Sequence, residues 1–425
     1  MVDNDKMLIG ARQFLEYNPK QWDKIKNTYD ELSVHYRKLI ENKRNSTDKV
    51  IHFGAYAVID ALFGMDDVFE LMKKDPKHWD PKIVIIPDIS RTYQHQEQTY
   101  LRTREFFVTK YGKDYVVDGW DMRSNTFFDH TNRFDIIYFS TPYDTMVPEI
   151  HSIEYASSKN VLPVYVNYGF DVSYNFMYMR MKAPALNYVW KYFTETVYSE
   201  KDIRDLQIIN GKNVVLTGYA KMDTYVKYKS TSNKSRKKIL ITPHHSVNLK
   251  DLPLSNFMTY HKLIPRLPDI FPDIDFVFRP HPLLFARMAL NKVWTDEQID
   301  DYLTEISRAG IEYSVGGDYL KLFSECDAII NDCGSFTLEW LFTGKPGCFV
   351  YNDELKNEHL TSQMKEAIKR YRIARSEDDI IGFIKEIGIT DMKPEYAMDD
   401  WVRENIAINY PNVAKRILDE LDILR

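Results

Sequence analysis

The chain has 425 residues, 44% hydrophobic and 28% charged, with 56 Lys and Arg against 62 Asp and Glu for a formal net charge of −6. This length predicts two or three domains, and the composition excludes a disordered or fibrous chain. The mild acidity is spread along the sequence, whereas non-specific nucleic-acid binding needs clustered Lys and Arg, so no nucleic-acid partner is expected.

Cysteine usage and hydropathy indicate where the protein works. Its three cysteines, Cys326, Cys333 and Cys348, form no Cys-x-x-Cys pair and suggest reduced, buried thiols. Residues 1–5 lack an apolar segment, so no secretory signal is expected, and no run of about 18 apolar residues predicts a membrane-spanning helix. We expect a cytoplasmic protein, or at most one lying on the inner face of the cell membrane.

The first half of the chain is predicted to begin with a helix and continue as an α/β series. Between residues 18 and 41, apolar and aromatic residues such as Trp22, Ile25 and Tyr29 recur at helical spacing. Short apolar runs then alternate with longer amphipathic stretches; the runs are 50–53, 83–86, 136–139, 162–166 and 214–217. Being apolar on both faces, they indicate buried parallel strands with helical crossovers.

The second half repeats this pattern after a polar, basic linker candidate, Ser230–Lys238. Its apolar runs are 239–242, 276–278, 328–330 and 348–350, with helix-length patterns at 256–266 and 334–343. The prediction is an α/β fold of two Rossmann-like domains facing each other across a cleft. The predicted divisions are a helical extension (1–48), a first Rossmann-like domain (49–230), a second (231–400) and a C-terminal helix crossing back to the first domain (401–425).

Unusual polar segments follow three of the strands predicted in the second half. Thr242–Ser246 follows the first, Arg279–Pro282 the second, and Asn331–Ser335 the third, leading into a helix. Because ligands bind at the carboxyl ends of parallel strands, we expect these segments to form one site.

The third segment is typical of a phosphate site. Gly334 and Ser335 allow close approach of an anion to free backbone N–H groups at a helix start, and the Ser335 hydroxyl adds a donor. Glu339, about one turn further, is placed to face a ribose. In the alternative interpretation, Ser335 is an ordinary helix N-cap and Glu339 lies on a solvated face.

The histidines indicate an anion site rather than a metal site. Pro280 and Pro282 hold His281 in extended backbone, where a protonated imidazole can pair with a phosphate; a structural turn histidine is the alternative. His244 and His245 are adjacent, so their side chains are expected to point apart, with at most one facing the cleft. No metal is predicted, because a zinc pair favours i, i+4 spacing on a helix.

These motifs resemble the CDP-glycerol glycerophosphotransferase family, which builds teichoic-acid and capsule-type polymers and adopts the GT-B fold. The resemblance covers about 214–351 well and continues weakly back to residue 50. It rests on ordered segments at 218–223, 279–282 and 331–339, followed by Gly344-Lys345-Pro346. The sequence departs from the family at Gly334, where the family has Ser, and at 243–246. The family's N-terminal His-Gly-Thr segment is also absent.

The resemblance implies a metal-independent transferase without a cofactor. It would move a polyol phosphate from a CDP-activated donor to a glycan or lipid-linked acceptor in bacterial surface-polymer synthesis. By this resemblance the first Rossmann-like domain would hold the acceptor and the second the donor, with His281 and Ser335 on the pyrophosphate and Glu339 on the ribose. The candidate donor-binding residues are His244, His245, Arg279, His281, Asp332, Gly334, Ser335 and Glu339.

The catalytic base is harder to assign. Asp171 follows a predicted strand and a glycine at the place comparable to the missing family segment, and it is our first candidate, with His281 as the second catalytic residue. His130 and His151 are further candidate bases, and Asp171 could instead N-cap a helix at 172–181.

Two questions stay open at the level of sequence. The aromatic stretch 174–198 is compatible with a surface helix that contacts a membrane and with a helix packed in the core or at a dimer interface; we prefer packing. The alternatives to the proposed activity are a nucleotide-sugar-dependent glycosyltransferase of GT-B fold and a non-catalytic GT-B-like assembly subunit.

Overall fold

The computed structural model describes residues 19–228, 236–250, 252–316, 319–389 and 400–425. They form two compact units. Unit 1 contains the described residues up to Gly169 together with Phe176–Asp223 and Ile408–Arg425; unit 2 contains Phe170–Asn175 and the described part of Thr224–Ala407. The predicted boundary after residue 230, most of the predicted linker, and residues 1–18 of the predicted extension lie outside the described residues.

Each unit is built on one parallel sheet. The strands of the first half are β1 (Ile51–Ala57), β2 (Trp79–Ile85), β3 (Val116–Asp118), β4 (Trp120–Asp121), β5 (Thr126–Phe127), β6 (Ile136–Phe139), β7 (Leu162–Val166), β8 (Lys191–Thr194) and β9 (Val214–Leu216). Those of the second half are β10 (Lys237–Thr242), β11 (Ile274–Phe278), β12 (Glu312–Tyr313), β13 (Ala328–Asn331), β14 (Gly347–Val350) and β15 (Arg372–Ala374).

The helices lie between the strands, as crossover connections require. In the first half they are α1 (Pro19–Asn45), α2 (Asp66–Lys73), α3 (Tyr93–Tyr111), α4 (Ile153–Ser157), α5 (Tyr174–Lys182), α6 (Pro184–Tyr188) and α7 (Val197–Leu206). In the second half they are α8 (Phe257–Tyr260), α9 (Leu267–Ile270), α10 (Leu284–Leu290), α11 (Asp296–Arg308), α12 (Tyr319–Glu325), α13 (Gly334–Glu339), α14 (Ser362–Ile368), α15 (Glu377–Ile389), α16 (Asp400–Asn405) and α17 (Val413–Leu421).

The strand orders are those of doubly wound sheets. The sheet of unit 1 runs β3-β2-β1-β6-β7-β8-β9 and that of unit 2 runs β12-β11-β10-β13-β14-β15. The neighbouring strands in both sheets are parallel. The order reverses beside β1 in unit 1 and beside β10 in unit 2, and ligands of such sheets bind at the carboxyl ends of the strands at this reversal. The predicted α/β fold with two Rossmann-like units is confirmed.

Burial on both faces explains why the strands were recognisable. Every residue of β6 and of β7 is buried. Helix α1 buries an apolar stripe that includes Ile25 and Tyr36, and the Tyr36 hydroxyl donates to the carbonyl of Tyr188 at 2.5 Å. The helical pattern from residue 18 to 41 therefore corresponds to α1.

Two helix predictions were too long. The pattern at 256–266 forms only α8 and a 3₁₀ turn at Ile264–Arg266, because Pro265 donates no backbone hydrogen bond. The predicted C-terminal helix is interrupted between α16 and α17, where Asn409 has a φ of 56° and Pro411 follows. Helix α17 packs into the core of unit 1 through Val413 and Ile417.

The aromatic stretch 174–198 is not a single surface helix. It forms α5, α6, β8 and the start of α7, and core residues such as Met177, Leu186 and Tyr192 are fully buried. This arrangement agrees with the packed alternative. Within the described ranges, no helix combines the length and apolar character needed to cross a bilayer.

The first motif of the family resemblance, at 218–223, has a structural role in unit 1. Gly218 has a φ of 100°, and a Cβ added there would lie 2.1 Å from the carbonyl oxygen of Ile408. Asp223 accepts a hydrogen bond from the backbone N–H of Ala414 at 2.8 Å, in the first turn of α17. Both residues therefore anchor the C-terminal segment to the unit.

Lys345, from the Gly-Lys-Pro motif, has a similar structural explanation. Its Nζ donates to the carbonyl oxygens of Phe323, Ser324 and Cys326 at 2.7, 2.9 and 2.6 Å, at the C-terminal end of α12. A cation at this position satisfies carbonyl groups that the helix leaves unpaired and interacts favourably with the helix dipole.

Candidate functional site

Three of the predicted polar segments meet at the reversal point of the sheet in unit 2. Strand β10 pairs with β11 on one side and with β13 on the other, and Thr242 lies opposite Asn331. The segments that follow these strands therefore share one edge of the sheet, as the sequence predicts.

Backbone hydrogen bonds extend the pairing of β10 and β11 beyond the strands and bring His281 beside His244 and His245. The N–H of Arg279 donates to the carbonyl of Ile241 at 2.8 Å, and the N–H of His281 donates to that of Pro243 at 2.9 Å. The ring centroids of His245 lie 4.1 Å from His244 and 4.2 Å from His281, and those of His244 and His281 are 5.4 Å apart. We call these three residues the histidine cluster.

The expectation that His244 and His245 point apart was wrong. Side chains alternate only in extended strand, and β10 ends at Thr242, before Pro243. Asp332 then holds the turn, because one of its carboxylate oxygens accepts the His244 backbone N–H at 2.5 Å. Both rings consequently lie on the same side.

Asp332 is the polar centre beneath this site. Its side chain is 0% exposed and accepts hydrogen bonds from four groups: the backbone N–H groups of His244 and Asn256 and the hydroxyls of Ser255 and Tyr260. Burial raises the pKa of Asp332 to about 7, although these hydrogen bonds lower it. The structure therefore shows Asp332, predicted to bind the donor, positioning the loop that carries His244.

The cluster is uncharged at neutral pH. The pKa of His281 is lowered to about 4, mainly by burial and to a lesser extent by the charge of Arg287. Burial, together with His281 and Arg287, lowers the pKa of His245 to about 2, and the pKa of His244 lies well below its ordinary value for similar reasons. His281 is thus neutral in the ligand-free protein at neutral pH. A bound anion would raise these pKa values again.

Hydrogen bonding indicates which kind of ligand the cluster suits. One nitrogen from each ring lies within 4.8 Å of the others, a grouping that a transition-metal ion could use. However, the backbone N–H of Leu283 donates to Nδ1 of His281 at 3.1 Å, so the neutral ring carries its proton on Nε2. That nitrogen is a hydrogen-bond donor, whereas a metal ligand needs a free lone pair. With Arg287 nearby, the arrangement suits an oxyanion better than a cation.

Helix α13 begins next to the cluster, and its geometry differs from the alternative interpretation of Ser335 and Glu339. Its N-cap residue is Cys333, so Ser335 is the second helical residue and not a cap. Glu339 is 2% exposed and does not lie on a solvated face. A Cβ added at Gly334 would lie 3.8 Å from Nε2 of His244, which places the start of the helix beside the cluster. Contacts of Ser335 with a diphosphate and of Glu339 with a ribose stay predictions.

Arg279 and the candidate bases have separate surroundings. The guanidinium of Arg279 donates to the Ser314 hydroxyl at 2.7 Å, just beyond β12. His130 and His151 belong to unit 1, and Nε2 of each lies about 3 Å from a backbone carbonyl oxygen; His151 is 0% exposed. Asp171 belongs instead to unit 2, with the histidine cluster.

Sequence reasoning missed Arg287 and Val172. Arg287 lies on α10, which starts three residues after His281, and its charge lowers the pKa of all three histidines. A basic residue on a helix directly after His-Pro was an available signal. Val172 contacts the position of Gly334, and no local pattern indicates this.

The neutral cluster predicts a pH-dependent stability. In the unfolded chain His245 takes up a proton below about pH 6.5, whereas in the folded protein it stays neutral to about pH 2, so acidification favours unfolding. From pH 7 to 5 this group should remove up to about 2 kcal/mol from the free energy of unfolding. Urea denaturation of wild type and His245→Asn at both pH values measures the difference. Equal losses in the two proteins would contradict the neutral cluster.

Comparison with known proteins shows similarity at the level of fold. No protein-family model matches the sequence, and no curated protein matches it. The UDP-GlcNAc 2-epimerase of Neisseria meningitidis bound to UDP-GlcNAc is 15% identical, covers 87% of this chain and 99% of its own, and has a TM-score of 0.57. The UDP-GlcNAc 2-epimerase of Methanocaldococcus jannaschii is 12% identical, covers 87% of this chain and 98% of its own, and has a TM-score of 0.51.

A variant of the wall teichoic acid polymerase TagF, whose structure was determined with CDPG, covers 96% of this chain and 98% of its own. It is 11% identical, with a TM-score of 0.56. Identities this low establish a common fold and no finer relationship. These neighbours are GT-B enzymes, and the chain described here has the GT-B type of fold, with two Rossmann-like α/β units.

Proposed function

We propose that the protein is a transferase that moves a polyol phosphate, such as glycerol phosphate, from a CDP-activated donor to a glycan or lipid-linked acceptor in bacterial surface-polymer synthesis. The observation that carries the proposal is the histidine cluster with Arg287, at the reversal point of the sheet in unit 2. The segments of this sequence that resemble donor-binding segments of the family follow these strands. The fold shared with TagF supports the same activity class.

In the proposed reaction, the acceptor hydroxyl oxygen attacks the phosphorus that carries the polyol. The bond from this phosphorus to the bridging oxygen breaks, and its electron pair leaves with CMP. Asp171 accepts the hydroxyl proton. Charge develops on the departing phosphate, where Nε2–H of His281 and the positive charge of Arg287 stabilise it more strongly than in water, because the site is largely buried.

We propose that the transfer reaction requires no metal ion. In two-metal and Mg²⁺-dependent phosphoryl transfer, cations neutralise the phosphate oxygens, and carboxylates hold the cations. Here imidazole N–H groups at the strand ends and the guanidinium of Arg287 on α10 are the positively polarised groups. They would perform the neutralising role directly, so EDTA should leave turnover unchanged.

A nucleotide-sugar-dependent activity is the second candidate. The Neisseria epimerase, whose structure holds UDP-GlcNAc, has the same fold and covers most of this chain. A diphosphate site would serve either donor, since both contain the same linkage between nucleoside and transferred group. The two candidate activities differ in the nucleobase of the donor and in the group that is transferred.

Donor preference is testable by ligand-induced stabilisation. CDP-glycerol should raise the melting temperature more than UDP-GlcNAc or a GDP-sugar at equal concentration, because the ligand with the lower Kd stabilises the folded protein more. A ligand at 100 times its Kd adds about 2.7 kcal/mol to the stability. CMP release with an acceptor present should persist in EDTA. Preferential stabilisation by UDP-GlcNAc would support the second candidate, and activity that EDTA abolishes and Mg²⁺ restores would refute metal independence.

A further inference from the structure

The segment Phe170–Asn175, which we call the strap, interrupts unit 1 in sequence but belongs to unit 2. The chain leaves unit 1 after Gly169 and returns to it at Phe176. Between these points it carries Asp171, the candidate base. The strap therefore belongs to the unit that carries the histidine cluster.

Buried polar groups of unit 2 hold the strap. The backbone carbonyl of Asp171 accepts two hydrogen bonds of 2.7 Å, from the Thr361 hydroxyl and from the Gln363 side-chain amide. The N–H of Thr361 donates to the carbonyl of Val172 at 3.1 Å, and Ser173 pairs with Leu360 in an antiparallel bridge. Thr361 and Gln363 are 1% and 0% exposed, so water does not replace these bonds.

The strap also covers the start of helix α13. A Cβ placed on Gly334 would lie 3.0 Å from Cγ2 of Val172 and 3.8 Å from Nε2 of His244. Val172 and the His244 ring thus flank the same backbone position. A side chain at this position would require Val172 to move by a few tenths of an ångström.

We propose that the strap forms one wall of the donor site, with Val172 as the apolar contact beside the cluster. Thr361 and Gln363 are positioning residues that fix Asp171 relative to the bound diphosphate. This inference rests on the proposed function and deepens it. A base must lie within about 3 Å of the hydroxyl it deprotonates, and the two hydrogen bonds on the Asp171 carbonyl fix the backbone from which its carboxylate extends.

The test uses the matched pair Thr361→Val and Thr361→Ser in the full chain. Valine removes the hydroxyl with little change in shape, whereas serine keeps it. Thr361→Val should lower kcat with CDP-glycerol by roughly tenfold, a factor that corresponds to about 1.4 kcal/mol and lies within the range for one buried hydrogen bond. Thr361→Ser should restore most of the activity. A residue that acts only on stability would shift the melting temperature and leave kcat of the folded protein unchanged.

Hydrogen exchange supplies a readout independent of turnover. Saturating CDP-glycerol should slow amide exchange in peptides covering the strap and residues 360–364 of the wild-type protein. Thr361→Val should exchange faster there, and Gln363→Met is a second variant if Thr361→Val does not fold. If the strap is protected by ligand but no donor is turned over, the proposed function fails and the strap assignment stands. Unchanged strap exchange with bound ligand, or wild-type kcat in Thr361→Val, would overturn the inference.

Discussion

Replacing His281 with asparagine is expected to reduce turnover by roughly 10- to 150-fold, with little change in melting temperature. In the structure, Nδ1 of His281 accepts the Leu283 N–H at 3.1 Å, which leaves Nε2–H as the donor for a phosphate oxygen. Asparagine can still accept the Leu283 N–H but has no group at the Nε2 position. A hydrogen bond to a charged group contributes about 1.5–3 kcal/mol. Its loss in the transition state gives the stated range.

His281→Gln is the matched control for this prediction. Glutamine places its amide near the position of Nε2 and can donate from there, so it should retain more turnover than asparagine. Steady-state kinetics and melting curves should be recorded on the same preparations. If both variants turn over normally and only lose stability, His281 is a structural turn residue, as the alternative interpretation of the sequence has it.

Gly218→Ala is expected to destabilise unit 1 by more than about 4 kcal/mol, in the exceptional range for a point mutation. Its φ of 100° already disfavours any side chain, and the new Cβ would lie 2.1 Å from the Ile408 carbonyl oxygen. The C-terminal segment that ends in α17 would therefore be displaced. Urea denaturation and soluble yield measure the effect.

Gly112→Ala separates the effect of the positive φ from the effect of the contact with Ile408. Gly112 has nearly the same φ, 98°, but nothing lies within 4 Å of an added Cβ. The Gly112→Ala variant should lose only the stability that the unfavourable φ costs, about 1–3 kcal/mol in the free energy of unfolding. Equal losses at the two positions would show that the contact with Ile408 is unimportant and that the glycine of this motif has another role.

Apolar runs predicted the sheet strands well where both faces are buried. The runs 136–139 and 162–166 coincide with β6 and β7, in which every residue is buried. The same reasoning missed β8, because its Lys191 and Thr194 lie within a long aromatic stretch. It also missed β12, whose two residues are exposed and give no apolar signal. Strand prediction therefore depended on burial at both faces.

The meeting of the three polar segments of the candidate site was predictable, but their internal geometry was not. Strand ends identified the three segments, because the rule that ligands bind at the carboxyl edge depends only on topology. The clustering of His244 with His245 depends on where β10 ends and on Asp332, which is 88 residues away in sequence. The strap contacts join residues 190 and 192 positions apart. Such long-range contacts leave no periodic signal in one sequence.

The central claim is that the histidine cluster binds the diphosphate of a nucleotide donor. Calorimetric titration of CDP-glycerol at pH 7.5 and 5.5, in buffers of different ionisation enthalpy, tests it most directly. The free His281 has a pKa of about 4, and a neighbouring diphosphate should raise it, so binding should take up protons. Affinity should then increase by at least about threefold at pH 5.5, and this increase should disappear in His281→Asn. Binding that is absent, or equally tight at both pH values without proton uptake, would contradict the account.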